Sequence, residues 1–364
     1  MFLSNPFPGA FGLDIGDMSI KLVRLSYHTP FFGESYFKLR EVRTIGLQPG
    51  IIVDGEIQQP EVARRKILHL LGKEGPEKPI NSPWVIADLP EPKTFLKLIE
   101  IDTPARELIY DDIAYHAKRH VPFEVEDTYL DWQIINPDEV GNTKTQVLLA
   151  AVPKVVADSY TYLLEAAGLN PIALEVEAIS IARAMITHQK DYTGEGRALL
   201  DIGATRSSLV VYDRDSIQFS TNINFSGELI TMALVQGLKI DYATAEKMKI
   251  DNGLRYDKNH PKYLKIIASL VEKLTGEIRK ALDFYKEHFA NTNPITHITL
   301  SGGTSNLLNI DDILSHNLKI SANPGNVWKN ISSLPVLAAE KTKGLALASA
   351  IGLALRAAQN PLKE

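Results

Sequence analysis

The chain has 364 residues, 39 Lys and Arg against 44 Asp and Glu, a net charge of −5 and a pI near 6.0. The absence of cysteine excludes disulfides, thiol catalysis and Cys-based metal sites, and no dense Lys/Arg tract marks a nucleic-acid partner. Hydrophobic residues at 45% and charged residues at 23% suit a globular chain long enough for two domains.

The N-terminus, Met1 to Pro8, has neither the basic start nor the apolar core of a signal peptide. Residues 10–90 read as strands, then a loop with Pro49-Gly50 and Asp54-Gly55, then a helix over about 60–72. A solvated connector at 73–79 leads to the strand Trp84 to Leu89. A different unit then begins. Thr94 to Ile101 alternates as a strand, and residues 105–120 show helical spacing stopped by Val121-Pro122. Strands follow at 128–135 and 145–152 around a turn at Gly141-Asn142, and a helix over about 153–167 ends at Gly168. This β-α-β-β-α order predicts an α+β insert over 92–170, after which the first domain resumes near Ile172. Leu345 to Leu355 is the most apolar stretch, 11 residues long, too short to span a bilayer, and reads as a buried helix. Direct membrane insertion is therefore not expected.

Asp-Ile-Gly occurs twice, at Asp14-Ile-Gly16 and Asp201-Ile-Gly203, 187 residues apart. Each copy ends one apolar strand and turns through small polar residues into another. Such a turn points several backbone N–H groups at one spot, which cradles an anion, and the Asp beside it can hold a hydrated Mg²⁺. A third signal is the strand His297 to Leu300 running into Ser301-Gly302-Gly303-Thr304, with a helix start expected there. Paired glycine lets backbone approach a ligand, and a helix N-terminus adds partial positive charge.

The ordered trio resembles the two phosphate motifs and the adenosine motif of the actin, sugar-kinase and Hsp70 superfamily. Further blocks sharpen the resemblance: Val121-Pro122-Phe123 followed by acids and Leu130-Asp131-Trp132-Gln133, then Val147 to Lys154, and the terminal helix through Gly352 to Arg356. Together they resemble the type IV pilus assembly protein PilM family and, more distantly, the cell-division protein FtsA. The resemblance implies an α/β, ribonuclease H-like duplicated, actin-like two-lobed fold with an inserted α+β (SHS2-like) subdomain. Lobe 1 would comprise 1–91, 171–197 and a C-terminal helix at about 340–358. Lobe 2 would comprise 198–227 and 294–339, with a mostly helical piece at 228–293.

The resemblance also implies ATP with Mg²⁺ as cofactors. Asp14 and Asp201 would approach the metal, mostly through water. Gly16, Asp17, Met18, Ser19 and Lys21 of the first turn, and Gly203, Ala204, Thr205 and Arg206 of the second, would hold the phosphates. Gly302, Gly303 and Thr304 would line the adenosine side, with Glu246 and Lys249 on the ribose and base. Glu175 stands in register with the acid that faces the γ-phosphate, and Glu177 is free to cap the following helix. One departure matters: Asp17 replaces the usual Ser and sets a carboxylate beside the phosphates, so turnover is expected to be slow or absent.

For partners, the resemblance implies that the cytoplasmic N-terminal peptide of a PilN-like inner-membrane protein lies between the first lobe and its insert. The walls would be Tyr110, Ile113, Ala114, Ala117, Val121, Phe123, Tyr129 and Trp132. An alternative for Ile113 and Ala117 is that they fill the insert's own core. Two functions compete: a cytoplasmic ATP-binding scaffold held at the inner membrane by partners, and a phosphotransferase or ATPase of the same fold. The phosphate-2 turn carries no acid between Asp201 and Asp213 to act as a sugar-kinase base, which favours the scaffold.

Overall fold

Alternating and continuous apolar strands followed by glycine turns build two sheets facing each other across a cleft. The computed structural model describes residues 5–30, 34–135, 143–187, 190–255, 260–331, 344–359 and 361. The expected turn at Gly141-Asn142 and the segment 332–343 lie outside them.

The first sheet has five strands: β1 (Phe11–Ile15), β2 (Ser19–His28), β3 (Tyr36–Gly46), β6 (Trp84–Leu89) and β10 (Asn170–Val176), in the order β10-β6-β1-β2-β3. A small hairpin, β4 (Ile52–Val53) with β5 (Glu56–Ile57), and helix α1 (Pro60–Leu70) follow β3. β1 pairs antiparallel with β2 and parallel with β6, so the chain leaves β1 by a tight turn and reaches β6 by a crossover. Phe11, Leu13, Ile20, Leu22, Ile67 and Val85 fill the core beneath this sheet.

The second sheet repeats the plan with β11 (Gly196–Ile202), β12 (Ser207–Asp213), β13 (Ser216–Ile223), β14 (Ile295–Ser301) and β15 (Ser321–Pro324). Its helices are α5 (Gly227–Leu238), α6 (Tyr242–Asn252), α7 (Pro261–His288) and α8 (Ile310–Leu318). Val271, Leu274, Ile278 and Tyr285 of α7 pack into the same apolar cluster as Leu200, Leu209 and Val211, so the helical piece shares one core with the sheet.

The insert contributes β7 (Phe95–Ile101), α2 (Tyr110–His120), β8 (Thr128–Ile135) and β9 (Thr145–Pro153). The expected helix at 105–120 is divided: a 3₁₀ turn covers Ala105–Glu107, and α2 starts only after Ile109, whose N–H donates to Asp112 Oδ2 at 3.1 Å. α3 (Lys154–Ala166), expected within the insert, buries Val156, Tyr160, Leu163 and Leu164 in the first lobe's core. The insert's strands join the second lobe's sheet, giving the order β15-β14-β11-β12-β13-β7-β9-β8. The junction is a single pair, Phe219↔Lys97.

Behind the cleft, α4 (Glu177–Met185) packs against the C-terminal helix α9 (Ala348–Ala358), nine of whose eleven residues are buried. The crossing needs glycine, because a Cβ on Gly352 would run into the Ser180 carbonyl. Gly12 of β1 meets α9 in the same way, its absent Cβ 2.6 Å from the Ala350 oxygen. We expect Gly352→Ala to lower unfolding stability by at least about 1–3 kcal/mol, because backbone on both sides has no room to shift. Gly276→Ala, in the middle of α7 with open space around it, should instead gain about 0.5–1 kcal/mol. Urea titration of both variants checks the pair, and a neutral Gly352→Ala contradicts it.

Candidate functional site: a carboxylate-rich cleft between two glycine turns

Both Asp-Ile-Gly turns are built alike. The Gly16 N–H donates to Ser19 O at 3.0 Å, and the Gly203 N–H donates to Arg206 O at 2.9 Å. Each Asp is the penultimate residue of its strand, paired across the hairpin with Lys21 or with Ser208. The turns open onto one cavity of about 160 Å³. Asp14, Gly16, Asp17, Met18, Ser19, Lys21, Asp201, Gly203, Ala204, Thr205, Arg206, Gly302 and Gly303 all line it. The structure thus brings both hairpins and the paired glycine to one place. Gly302 stands at φ +84°, and a Cβ there would meet the Ile202 backbone, so no other residue fits. The helix expected after it is a 3₁₀ turn, Gly303–Asn306, ahead of α8.

Five carboxyl groups border this space, Asp14, Asp17, Glu91, Glu177 and Asp201, against two cations, Lys21 and Arg206. Lys21 Nζ lies 2.8 Å from Asp14 Oδ2; burial opposes its charge, but Asp14 holds the ammonium above its usual range. Burial pushes Asp201 up to about 6 and the adjoining Asp88 up to about 7, with Asp14 adding to both. Glu177 is likewise held well above the carboxylate range by burial, with Asp88, Asp201 and Asp14 beside it. So acidic a space suits a cation, or a phosphate that arrives with one. Among the described residues no three His, Cys, Asp or Glu side chains form a metal cage, so an ion here would rely on Asp14, Asp201, water and phosphate oxygens.

Asp17 does not stand free in the cavity. Its carboxylate accepts from the Asp54 and Gly55 N–H groups at 3.2 and 3.1 Å, from Thr205 Oγ1 at 3.0 Å and from Arg206 Nη1 at 2.9 Å. The departure from the usual Ser is therefore a bond from the first turn to the second.

For Glu175 and Glu177 the structure reverses the expectation. Glu177 lines the cavity, whereas Glu175 does not. Glu175 is gripped by Arg183, at 2.7 and 2.9 Å, and by Arg356; burial would raise it, but the two guanidiniums hold it below its usual value. The strand ends at Val176 and α4 begins at Glu177, and that bend turns Glu177 toward the cleft.

Thr304, Glu246 and Lys249 sit beside the cavity but do not line it. Thr304 Oγ1 donates to Gly203 O at 2.8 Å, and Lys249 Nζ donates to Gly227 O, Thr231 Oγ1 and Glu246 Oε2 at 3.1, 2.9 and 2.7 Å. Glu91 and Ser349, which sequence reasoning missed, also border the cavity. They follow the carboxyl end of β6 and open α9, positions where α/β sheets gather ligand groups.

The expected partner groove divides into two faces. Ile113, Ala117 and Val121 are buried in the insert's own core, with Phe123 packed against it. Tyr110 is exposed and its ring lies 5.8 Å from that of Trp132, with Ala114 half-buried on the same helix. Tyr129 emerges on the opposite face of β8, because side chains alternate along a strand, and its hydroxyl donates to Asp158 of α3 at 3.1 Å. One groove on one face cannot take both aromatics. They flank the edge of β8, the outermost strand of its sheet.

The raised carboxyls set a pH dependence. The folded state holds protons on Asp88 and Asp201 between the ordinary carboxylate range and about 6–7, where the unfolded chain has lost them. Stability without nucleotide or metal should therefore fall as pH rises from about 4 to about 7. Asp88→Asn keeps an oxygen for the Ile15 N–H, 3.2 Å from Asp88 Oδ1, and removes the buried charge. It should be more stable than the parent at pH 8, with the advantage shrinking towards pH 4. Unfolding midpoints across this range check it; an advantage that grows on acidification contradicts it.

Comparison with known proteins gives the family and the fold. A family model described as type IV pilus assembly protein PilM matches residues 12–358. A solved structure, the PilM-PilN type IV pilus biogenesis complex, matches with a TM-score of 0.81 at 24% identity, covering 97% of this chain and 100% of that one. MreB 5 of Spiroplasma citri bound to AMPPNP matches with a TM-score of 0.54 at 12% identity, covering 95% of each chain. Cell division protein FtsA of Staphylococcus epidermidis is 23% identical over 341 residues, 83% of this chain and 71% of that protein. The fold is the two-lobed actin-like fold, and the chain belongs to the type IV pilus assembly protein PilM family.

Proposed function

We propose that this pilus assembly protein is an ATP-binding scaffold that docks a PilN-like inner-membrane protein along the edge of β8. The observation that carries the nucleotide half is the convergence of both Asp-Ile-Gly turns and Gly302-Gly303 on one acidic cavity. Asp14 and Asp201 would hold Mg²⁺, mostly through water, and the turn N–H groups would hold the phosphates. Glu246, Lys249 and Thr304, next to Gly203 and Gly227, would flank the nucleoside. At about 160 Å³ the cavity has room for an ion and phosphate groups, while drug-sized ligands fill about 300–1,000 Å³. Binding would then part the lobes and compete for Arg206 and Thr205, now held by Asp17. Glu177, rather than Glu175, is the acid placed for any hydrolysis.

The partner half rests on the likeness to a PilM-PilN complex and on the open edge of β8. An extended peptide added there would gain main-chain hydrogen bonds. Its side chains would alternate between Tyr129 with Val155 and Tyr162 on one face and Tyr110 with Trp132 on the other; of these, Val155 and Tyr162 are 75% and 67% exposed. No helix among the described residues is long and apolar enough to cross a membrane, so the partner's anchor would supply attachment to the inner membrane.

Calorimetry with the partner's cytoplasmic N-terminal peptide tests this reading. We expect binding of roughly micromolar strength, about 8 kcal/mol, and a loss of at least about tenfold in Tyr129→Ala. No heat with or without ATP, or full affinity in that variant, would refute the β8 edge.

A further inference from the structure

A groove of about 1520 Å³ runs between the insert and the second lobe, on the far side of β7 and β9 from the β8 edge. Two strand edges and the helices α5 and α7 wall it. β7 pairs with β9 from Phe95 to Ile101, and β13 pairs with β12 from Ser216 to Ile223, yet β7 and β13 meet only at Phe219↔Lys97. From that single pair the strands diverge. Phe95 and Leu96 on one side, and Ser220 to Ile223 on the other, line the groove without a partner strand along it. Such edges carry N–H and C=O groups that a further strand can pair.

Charge and side chains select what enters. Lys97, Lys273 and Lys280 line the groove, and none forms an ion pair among the described residues. Lys97 Nζ instead lies 5.3 and 5.4 Å from the rings of Phe284 and Phe289, and burial without a counter-ion pulls its ammonium below the usual range. Two of the three acids that line it are hydrogen-bonded within the wall, Glu228 Oε2 accepting from the Tyr242 hydroxyl at 2.7 Å and Glu277 Oε2 from the Asn224 N–H at 2.6 Å, and burial holds the third, Glu91, above the usual carboxylate range. Met232 and Phe284, 40% and 36% exposed, give an apolar floor.

We propose that this groove takes an extended acidic peptide segment of a partner protein, paired to the edge of β13 with its carboxylates on Lys97, Lys273 and Lys280. Thr205, Arg206 and Ser207 border both this groove and the carboxylate-rich cavity, so the segment would lie against the second phosphate turn.

The test is fluorescence anisotropy with the full chain and a labelled heptapeptide, Asp-Phe-Asp-Leu-Glu-Val-Asp, against its counterpart with lysine at every acidic position. At about 0.1 M salt we expect saturable binding of the acidic peptide and none of the basic one. Lys273→Glu with Lys280→Glu, both exposed positions, should weaken binding at least about tenfold, and Lys97→Met should weaken it without adding a charge. Tyr129→Ala should leave it unchanged, which separates this surface from the β8 edge. Equal binding of the basic peptide, unaltered affinity in the lysine variants, loss in Tyr129→Ala, or no saturation up to about 1 mM would each overturn the proposal.

Discussion

The Asp17 carboxylate ties the two turns together, and the geometry of the cleft depends on that tie. On its own lobe it accepts the N–H groups of Asp54 and Gly55; across the cleft it accepts from Thr205 and Arg206. Gly55 stands at φ +77° with Pro90 pressed against the place a Cβ would take, so the turn that offers these N–H groups is fixed. Asp17 and Arg206 expose 4% and 18% of their side chains. Removing one partner of a pair buried this deeply typically costs about 3–5 kcal/mol, because the other charge is stranded. The same bond holds Asp14 and Asp201 on one small space and occupies two groups that phosphates would want.

That tie explains why an acidic cavity is tolerated. Five carboxyls meet Lys21 and Arg206, and burial together with mutual repulsion raises Asp201 and Glu177 until protons replace some of the missing cations. A divalent ion would have to displace those protons, so its binding would weaken as pH falls. The insert works differently. Its three strands carry one free edge at β8 and one parted edge at β7, so the same small sheet offers a place for a strand on either side. Both edges lie outside the cavity.

The hairpins were legible because their signals are local: Asp-Ile-Gly, a few small polar residues, and apolar strands on either side decide the turn within about ten residues. The burial of α9 was legible in the same way, from an apolar run broken only by small residues. Other features depend on distant pairing. Nothing near Lys97 announces that Phe219 will join the insert's sheet to the second lobe, and nothing near Val156 shows that α3 will leave the insert for the first lobe's core. The resemblance sets Glu175 in register with the acid that faces the γ-phosphate, but Glu175 lies within β10 and Glu177 opens α4. The chain bends into α4 at that point, and Arg183 and Arg356, one of them 181 residues away, claim Glu175 instead. The resemblance assigns Tyr129 and Trp132 to one groove wall, whereas the strand alternates them to opposite faces.

The central claim is that the two turns form one site for Mg²⁺ and ATP phosphates. A double-mutant cycle on Mg·ATP affinity, using Asp14→Asn, Asp201→Asn and the double variant, tests it most directly. If both carboxylates serve one ion, each single change removes most of the binding and the second adds little. The coupling should then exceed about 1 kcal/mol, and chelating the metal should abolish the difference between the four proteins. Additive losses, or full affinity in either single variant, would contradict a shared site.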